Sequence, residues 1–429
     1  MRKTQTKKIL KFPKGFLWGA ATSAYQVEGG IEGNDWATAK MPPAGLACDH
    51  YHRFEEDFLL AKKLNHNAHR LSLEWSRIEP QADEWNEEEL DHYFQVLLTL
   101  KKLGFQTFVT LHHFTNPLWV ASQGGWANKK TINDFVGYVA KVAHRLGDFV
   151  DFWLTINEPS TYAGFSYKDG IWPPFEHRPI RAFRVYRNLL AGHNRAYEMI
   201  HALFPQAQVG FAQGITFSEP ANKEIFFDSL VVRVADWFRI DFPYSRTKND
   251  FLAVNHYQRN ILRFGSFGPK PVPLHPSQVT DKGWEIYPRS MFEILMKLKR
   301  FSKPVYITEN GIADAKDTKR ARYIADYLKE LHRAIKKGVE ARGYLYWSLL
   351  DNYEWPVRRE IEKTGYEMKF GLIKVDFATL RRHVRKSARA YAEICKNNSL
   401  ALSSRAEAKR SGPHRLLRVS PADARNDRK

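Results

Sequence analysis

Between residues 15 and 400 the chain repeats one pattern eight times: a short apolar run, then an amphipathic stretch long enough for a helix. The runs are Phe16 to Ala20, Ala68 to Glu74, Thr107 to His112, Phe152 to Asn157, Val209 to Ile215, Phe251 to His256, Val305 to Glu309 and Gly343 to Ser348. The predicted helices cover 52–64, 87–103, 131–145, 180–203, 223–239, 289–299, 318–337 and 384–396. Strand and helix in strict alternation build a parallel sheet covered by helices, and eight such units are the count of a closed (β/α)8 TIM barrel. A barrel of this kind takes about 250 residues and often more, so 429 residues read as a single α/β domain over 15–400. A basic N-terminal segment, 1–14, precedes it. Residues 401–429, with Ser, Arg, Pro and Asp and little apolar periodicity, read as a disordered basic tail.

The net charge of +19 raises the question of a nucleic acid or an anionic membrane. Its distribution argues against both. Residues 1–14 carry six Lys/Arg and no acid, and 401–429 carry eight against three acids, which leaves +8 for the rest of the chain. Charge gathered at the ends reads as solvated termini. Two cysteines, Cys48 and Cys395, lie nearly a chain length apart, so neither a disulfide framework nor a metal-ligand spacing is present. Ile9-Leu10 is too short for a signal peptide and no run approaches the roughly 20 residues of a membrane span, from which a soluble cytoplasmic protein is expected.

A TIM barrel gathers its chemistry where the strands end, because the βα loops converge there. Polar residues cluster at those positions: Arg70 with Glu74, His112-His113, Asn157-Glu158, Asn255 with Tyr257, Glu309-Asn310, and Trp347. Strands four and seven each finish on an acid, Glu158 and Glu309, and they lie across the mouth from one another. Facing carboxyls about 5 to 5.5 Å apart are the apparatus for opening a glycosidic bond with retention. Taken singly, each feature has a plainer reading. A strand-end Glu is more often a surface ion pair, His113 a satisfied core histidine, and Trp347 a packing ring. Pro159 disfavours the α region for Glu158, so extended backbone is expected there, and Gly311 is expected to let the chain turn sharply.

Five separated motifs make the chain resemble the family 1 glycoside hydrolases, the β-glucosidase and β-galactosidase group, over roughly 11–396. They are Phe12-Pro13 with Phe16 to Gly29, Arg70 to Ile78, Thr155-Ile-Asn-Glu-Pro159, Ile307-Thr-Glu-Asn-Gly311 and Trp347 to Trp355, in family order. The resemblance implies that Glu158 is the acid/base and Glu309 the nucleophile, with Arg70, Tyr257 and Asn255 supporting the nucleophile. Arg70 and Tyr257 are expected to keep Glu309 ionised, while burial and the charge of Glu309 raise Glu158. It also implies polar contacts to sugar hydroxyls from Gln26, His113, Asn157, Glu354 and Trp355, over a platform made by Trp347. Asn157 is expected to reach the 2-hydroxyl. A carboxylate at Glu354, with Phe370 where phospho-specific relatives carry Tyr, implies neutral sugars.

The implied activity is retaining exo-β-glycosidase action on terminal β-D-glucosyl, and also galactosyl or fucosyl, residues of small β-glycosides or oligosaccharides, with no metal or other cofactor. Transglycosylation through the same intermediate is one alternative. A non-catalytic sugar- or polyanion-binding barrel is another, though a binder has no need of a matched acid and nucleophile. Departures from the family pattern are His256 for Tyr, Phe114 for Trp, Asn116 for Asp, a long 356–364 connection and a short 216–250 region. They leave the aglycone preference and the oligomeric state open.

Overall fold

The computed structural model describes residues 8–265, 278–357 and 365–402. The tail from 403 onward, the middle of the Gly/Pro-rich 265–283 segment and most of the 356–364 connection lie outside the described residues.

Eight parallel strands close into a barrel. They are β1 (Leu17–Ala21), β2 (Ala68–Ser72), β3 (Gln106–His112), β4 (Phe152–Asn157), β5 (Gln208–Gly214), β6 (Leu252–Asn255), β7 (Val305–Asn310) and β8 (Ala341–Trp347). The helices that follow are α1 (His50–Lys63), α2 (Glu87–Lys102), α3 (Lys130–Leu146), α4 (Pro179–Leu203), α5 (Phe226–Asp236), α6 (Arg289–Leu298), α7 (Arg320–Lys336) and α8 (Lys386–Asn397). Strand and helix limits agree with the sequence reading to within a few residues. In α2 the local reasons are visible: Asn86 caps the start by accepting the Glu89 N–H at 3.2 Å, three glutamates fill the first turn and two lysines the last. That arrangement complements the helix dipole.

Alternation along the strands sorts the interior. Ala68, Phe108, Leu154, Ala212, Ala253, Tyr306 and Leu345 form an apolar plug inside the barrel, with the Phe108 and Phe152 rings stacked 4.3 Å apart. The opposite strand faces, together with the helices, make the larger core that holds Trp18, Trp75, Trp126 and Trp153. At the base, Ile9–Lys11 pairs antiparallel with Ser399–Ala401, and Leu10 and Phe12 are buried. Asn398 ties these ends together: its Oδ1 accepts the Trp18 indole N–H at 2.9 Å and its Nδ2 donates to the carbonyls of Phe12 and Pro13.

Two sequence expectations about backbone need correction. Glu158 is not extended; its φ of 41° and ψ of 60° are left-handed. The proline excludes only the right-handed region for its predecessor, and here Pro159 opens a short helix, Pro159–Ala163, for which Glu158 is the N-cap. Gly311 does not mark a sharp turn: residues 311–314 carry neither turn nor bend. It allows close approach: a Cβ there would collide with the Trp347 carbonyl oxygen.

Candidate active site

Two residues beyond the apolar plug, the inward positions turn polar: Arg70 on β2, Thr110 on β3, Asn255 on β6 and Thr308 on β7. Arg70 is fully buried, which requires every part of its guanidinium to be answered. Its Nε donates to Thr110 Oγ1 at 3.1 Å, its Nη2 to Asn157 Oδ1 at 2.6 Å, and its Nη1 to Glu309 Oε1. The other Glu309 oxygen accepts the Tyr257 hydroxyl at 2.6 Å. Asn255 links the two sides, donating to Asn157 Oδ1 at 3.0 Å and to Glu158 Oε1 at 2.8 Å, while its own carbonyl accepts Thr308 Oγ1 at 2.7 Å.

Strict alternation would not deliver this set. Counting by twos from Leu154 sends Ile156 inward and Asn157 outward, yet Ile156 packs in the main core and Asn157 bonds Arg70. The pairing of β4 with β5 slips between Leu154 and Asn157. β7 slips between Ile307 and Glu309 against β6 and between Ile307 and Asn310 against β8. An irregularity of this kind re-aims the following side chains, and both acid-bearing strands carry one just before the acid.

The two carboxyls differ in surroundings. Burial, then the charge of Glu309, pushes the Glu158 carboxyl up to about 7, opposed by hydrogen bonds from Asn255 and Thr161 and by Arg70. Burial also raises Glu309 above its ordinary value, against the pull of Arg70 and of the Tyr257 hydrogen bond. So Arg70 and Tyr257 restrain a rise rather than hold this group below the usual carboxylate range. With both Glu309 oxygens already accepting from N–H and O–H donors, a proton there would displace a donor, and the arrangement suits the ionised form. His113 is held neutral, its pKa driven well down by burial and by Arg70. Burial and Glu309 drive the Tyr257 phenol up, so it remains a donor.

The glycosyl hydrolase family 1 model matches residues 8–238 and 239–400, nearly the whole described chain. The chain belongs to this family. As a member it is a β-glycosidase. β-Glucosidase A of Acetivibrio thermocellus is 32% identical, over 91% of this chain and 99% of its own length. A β-galactosidase of Sulfolobus acidocaldarius is 29% identical over 91% of this chain and 96% of its own. Among solved structures, the β-glycosidase from Pyrococcus horikoshii superposes with a TM-score of 0.86 at 34% identity, covering 95% of this chain and 99% of that one. The family 1 β-glucosidase from Thermotoga maritima, solved also with isofagomine lactam, superposes at 0.84 with 30% identity, over 92% and 100%.

Of the remaining residues named from the family resemblance, Trp347, Glu354, Trp355 and His113 contact one another and reach Asn157. Trp347, ending β8, donates its indole N–H to Glu354 Oε1 at 2.8 Å, and the His113 ring lies parallel to Trp347 and to Trp355 at 6.1 and 6.2 Å. His113 Nε2 meets Asn157 Nδ2 at 3.4 Å. Gln26 is buried, accepting from Ser23 Oγ at 2.6 Å and donating to the Tyr353 carbonyl at 2.5 Å. A primary amide has two donors and two lone pairs, so these bonds fix its orientation without exhausting it. Among the described residues, Trp355 Nε1 and His113 Nδ1 are buried without a protein partner. The departure at His256 is structural: its ring bridges the Ile215 carbonyl at 2.8 Å and Ser290 Oγ at 2.6 Å.

Sequence reasoning missed Thr110, Thr161, Thr308, Gly214 and Lys282. Period two from Phe108 and Tyr306 could have found the strand threonines. Thr161, Gly214 and Lys282 carry no signal outside the folded barrel. No helix among the described residues is long and apolar enough to cross a membrane, and no His/Cys/Asp/Glu group among them has the grouping of a metal site.

Proposed function

We propose that the protein is a retaining exo-β-glycosidase that hydrolyses terminal, non-reducing β-D-glucosyl residues, and also galactosyl or fucosyl ones, from small β-glycosides or oligosaccharides. The observation that carries this reading is the single buried network through Arg70, Asn157 and Asn255 that joins two carboxyls of unlike environment. Glu158, raised to about 7, enters protonated and gives its proton to the glycosidic oxygen as the bond to the anomeric carbon breaks. Glu309, held by Arg70 and Tyr257, attacks that carbon and forms an ester with inverted configuration. Its charge is thereby lost, the pKa of Glu158 falls, and Glu158 takes a proton from water that attacks the same carbon. Two inversions return the β configuration.

The binding side of the reading rests on the orphaned donors. A buried indole N–H costs free energy unless bonded, and Trp355 Nε1 lies in the wall where sugar hydroxyls would satisfy it. Asn157, oriented by Arg70 and Asn255, serves the 2-hydroxyl, whose hydrogen bond strengthens in the oxocarbenium-like transition state. Replacing Glu309→Gly should abolish hydrolysis of nitrophenyl β-glucoside, and added azide should restore turnover and yield the α-glycosyl azide. A β-azide product, or full activity without Glu309, would overturn the assignment of nucleophile and stereochemistry.

A further inference from the structure

Glu354 faces a cation that no sequence motif announced. Lys282 Nζ lies 3.7 Å from Glu354 Oε2, with the two side chains 3% and 8% exposed. Lys282 belongs to the loop that follows β6, Glu354 to the loop that follows β8, so the pair exists only once the barrel has closed. The lysine ammonium also lies over the Trp284 and Phe370 rings at 5.2 and 5.9 Å and donates to the Trp355 carbonyl at 3.4 Å. Those rings continue to the nucleophile: Tyr257 packs against Trp284 at 5.5 Å and Phe370 at 6.2 Å.

Charges this deeply buried need opposite charge close by. At 3.7 Å the attraction is Coulombic rather than a hydrogen bond. The opposite oxygen, Oε1, is pinned by Trp347 Nε1. Glu354 is thus clamped between an indole donor and an ammonium, which fixes the plane of its carboxylate relative to the platform ring. Without the cation, Glu354 loses the positive charge that attracts Oε2, and its carboxylate is held less firmly in place.

We propose that Lys282 is a specificity-determining positioning residue, which clamps Glu354 so that the site favours hexosides carrying a C6 hydroxyl over pentosides that lack C6. The proposal rests on the functional reading above, in which Glu354 serves the C4 and C6 end of the sugar. The test is kcat/KM for nitrophenyl β-glucoside and β-xyloside in the full chain, before and after Lys282→Met. The glucoside-to-xyloside ratio should fall at least tenfold. In a Glu354→Gln background the same replacement should change that ratio less than twofold, since the group it positions is already altered.

Equal losses on both substrates would overturn the proposal, because they mean a merely structural lysine. So would an unchanged ratio, or an undiminished effect in the Glu354→Gln background. Lys282→Gln gives the same reading should the apolar variant fail to accumulate. Absence of β-glycosidase activity from the unsubstituted chain is a separate outcome and would overturn the functional reading itself.

Discussion

Gly214, the last residue of β5, sits where any side chain would press on the acid. A Cβ built there meets Glu158 Oε2 at 2.5 Å, Glu158 Cδ at 2.7 Å and Thr161 Oγ1 at 3.0 Å. Ordinary van der Waals contact begins at 3.4 Å, so in Gly214→Ala the carboxyl must retreat by roughly 0.9 Å. The atoms in the way belong to the end of a glutamate and a threonine hydroxyl, not to backbone, so the fold should accommodate the change with little loss of stability. Catalysis should not. A misplacement of about 1 Å costs on the order of 100-fold in rate, or about 2.7 kcal/mol in the barrier.

The loss should depend on the leaving group. Dinitrophenolate departs without a proton, so formation of the glycosyl-enzyme from dinitrophenyl β-glucoside should change little when followed in single-turnover mode. An alkyl β-glucoside needs the proton and should lose the full factor of about 100. Unfolding temperature measured alongside should move by only a few degrees. A Gly214→Ala enzyme that cleaves the alkyl glucoside at the unsubstituted rate would show that Glu158 does not deliver its proton from the observed position. Equal losses on both substrates with a large drop in unfolding temperature would refute the claim that the side chain alone yields.

Glu158→Gln makes a second, pH-dependent case. The raised pKa, about 7 against 4.5, means that the fold prefers the protonated carboxyl; that preference is satisfied at low pH and lost as pH rises through about 7. The glutamine variant should therefore gain stability over the unsubstituted protein at pH 8, by about 3 kcal/mol, with little gain at pH 4; denaturant titration at the two pH values reads this, and an equal gain at both would refute it. In the unsubstituted enzyme kcat/KM for alkyl glucosides should fall as pH rises past about 7, a limb that Glu158→Gln removes with the activity. Asn157→Ala should lower kcat by about 100-fold with KM changed much less, and the penalty should shrink on 2-deoxyglucosides; a penalty as large without the 2-hydroxyl would mean that Asn157 matters only by holding Arg70.

What the sequence determined was periodicity and residue chemistry. Eight apolar runs of strand length separated by amphipathic stretches leave a chain few ways to bury its surface, and the barrel follows from that pattern. Strand ends are legible because the apolar runs stop there, so Glu158, Glu309, Arg70 and Asn255 could be placed at one mouth. Tertiary structure decided how those side chains point and what charge they carry. The register slips in β4 and β7 that turn Asn157 and Glu309 inward arise from pairing with neighbouring strands, which no single strand encodes. The left-handed backbone of Glu158 depends on the carbonyl of Ala212, which accepts its N–H at 2.7 Å, and on the space left by Gly214. Burial sets the direction of both carboxyl shifts, and burial is a property of the closed barrel. Lys282 meets Glu354 only because barrel closure brings the loops after β6 and β8 together.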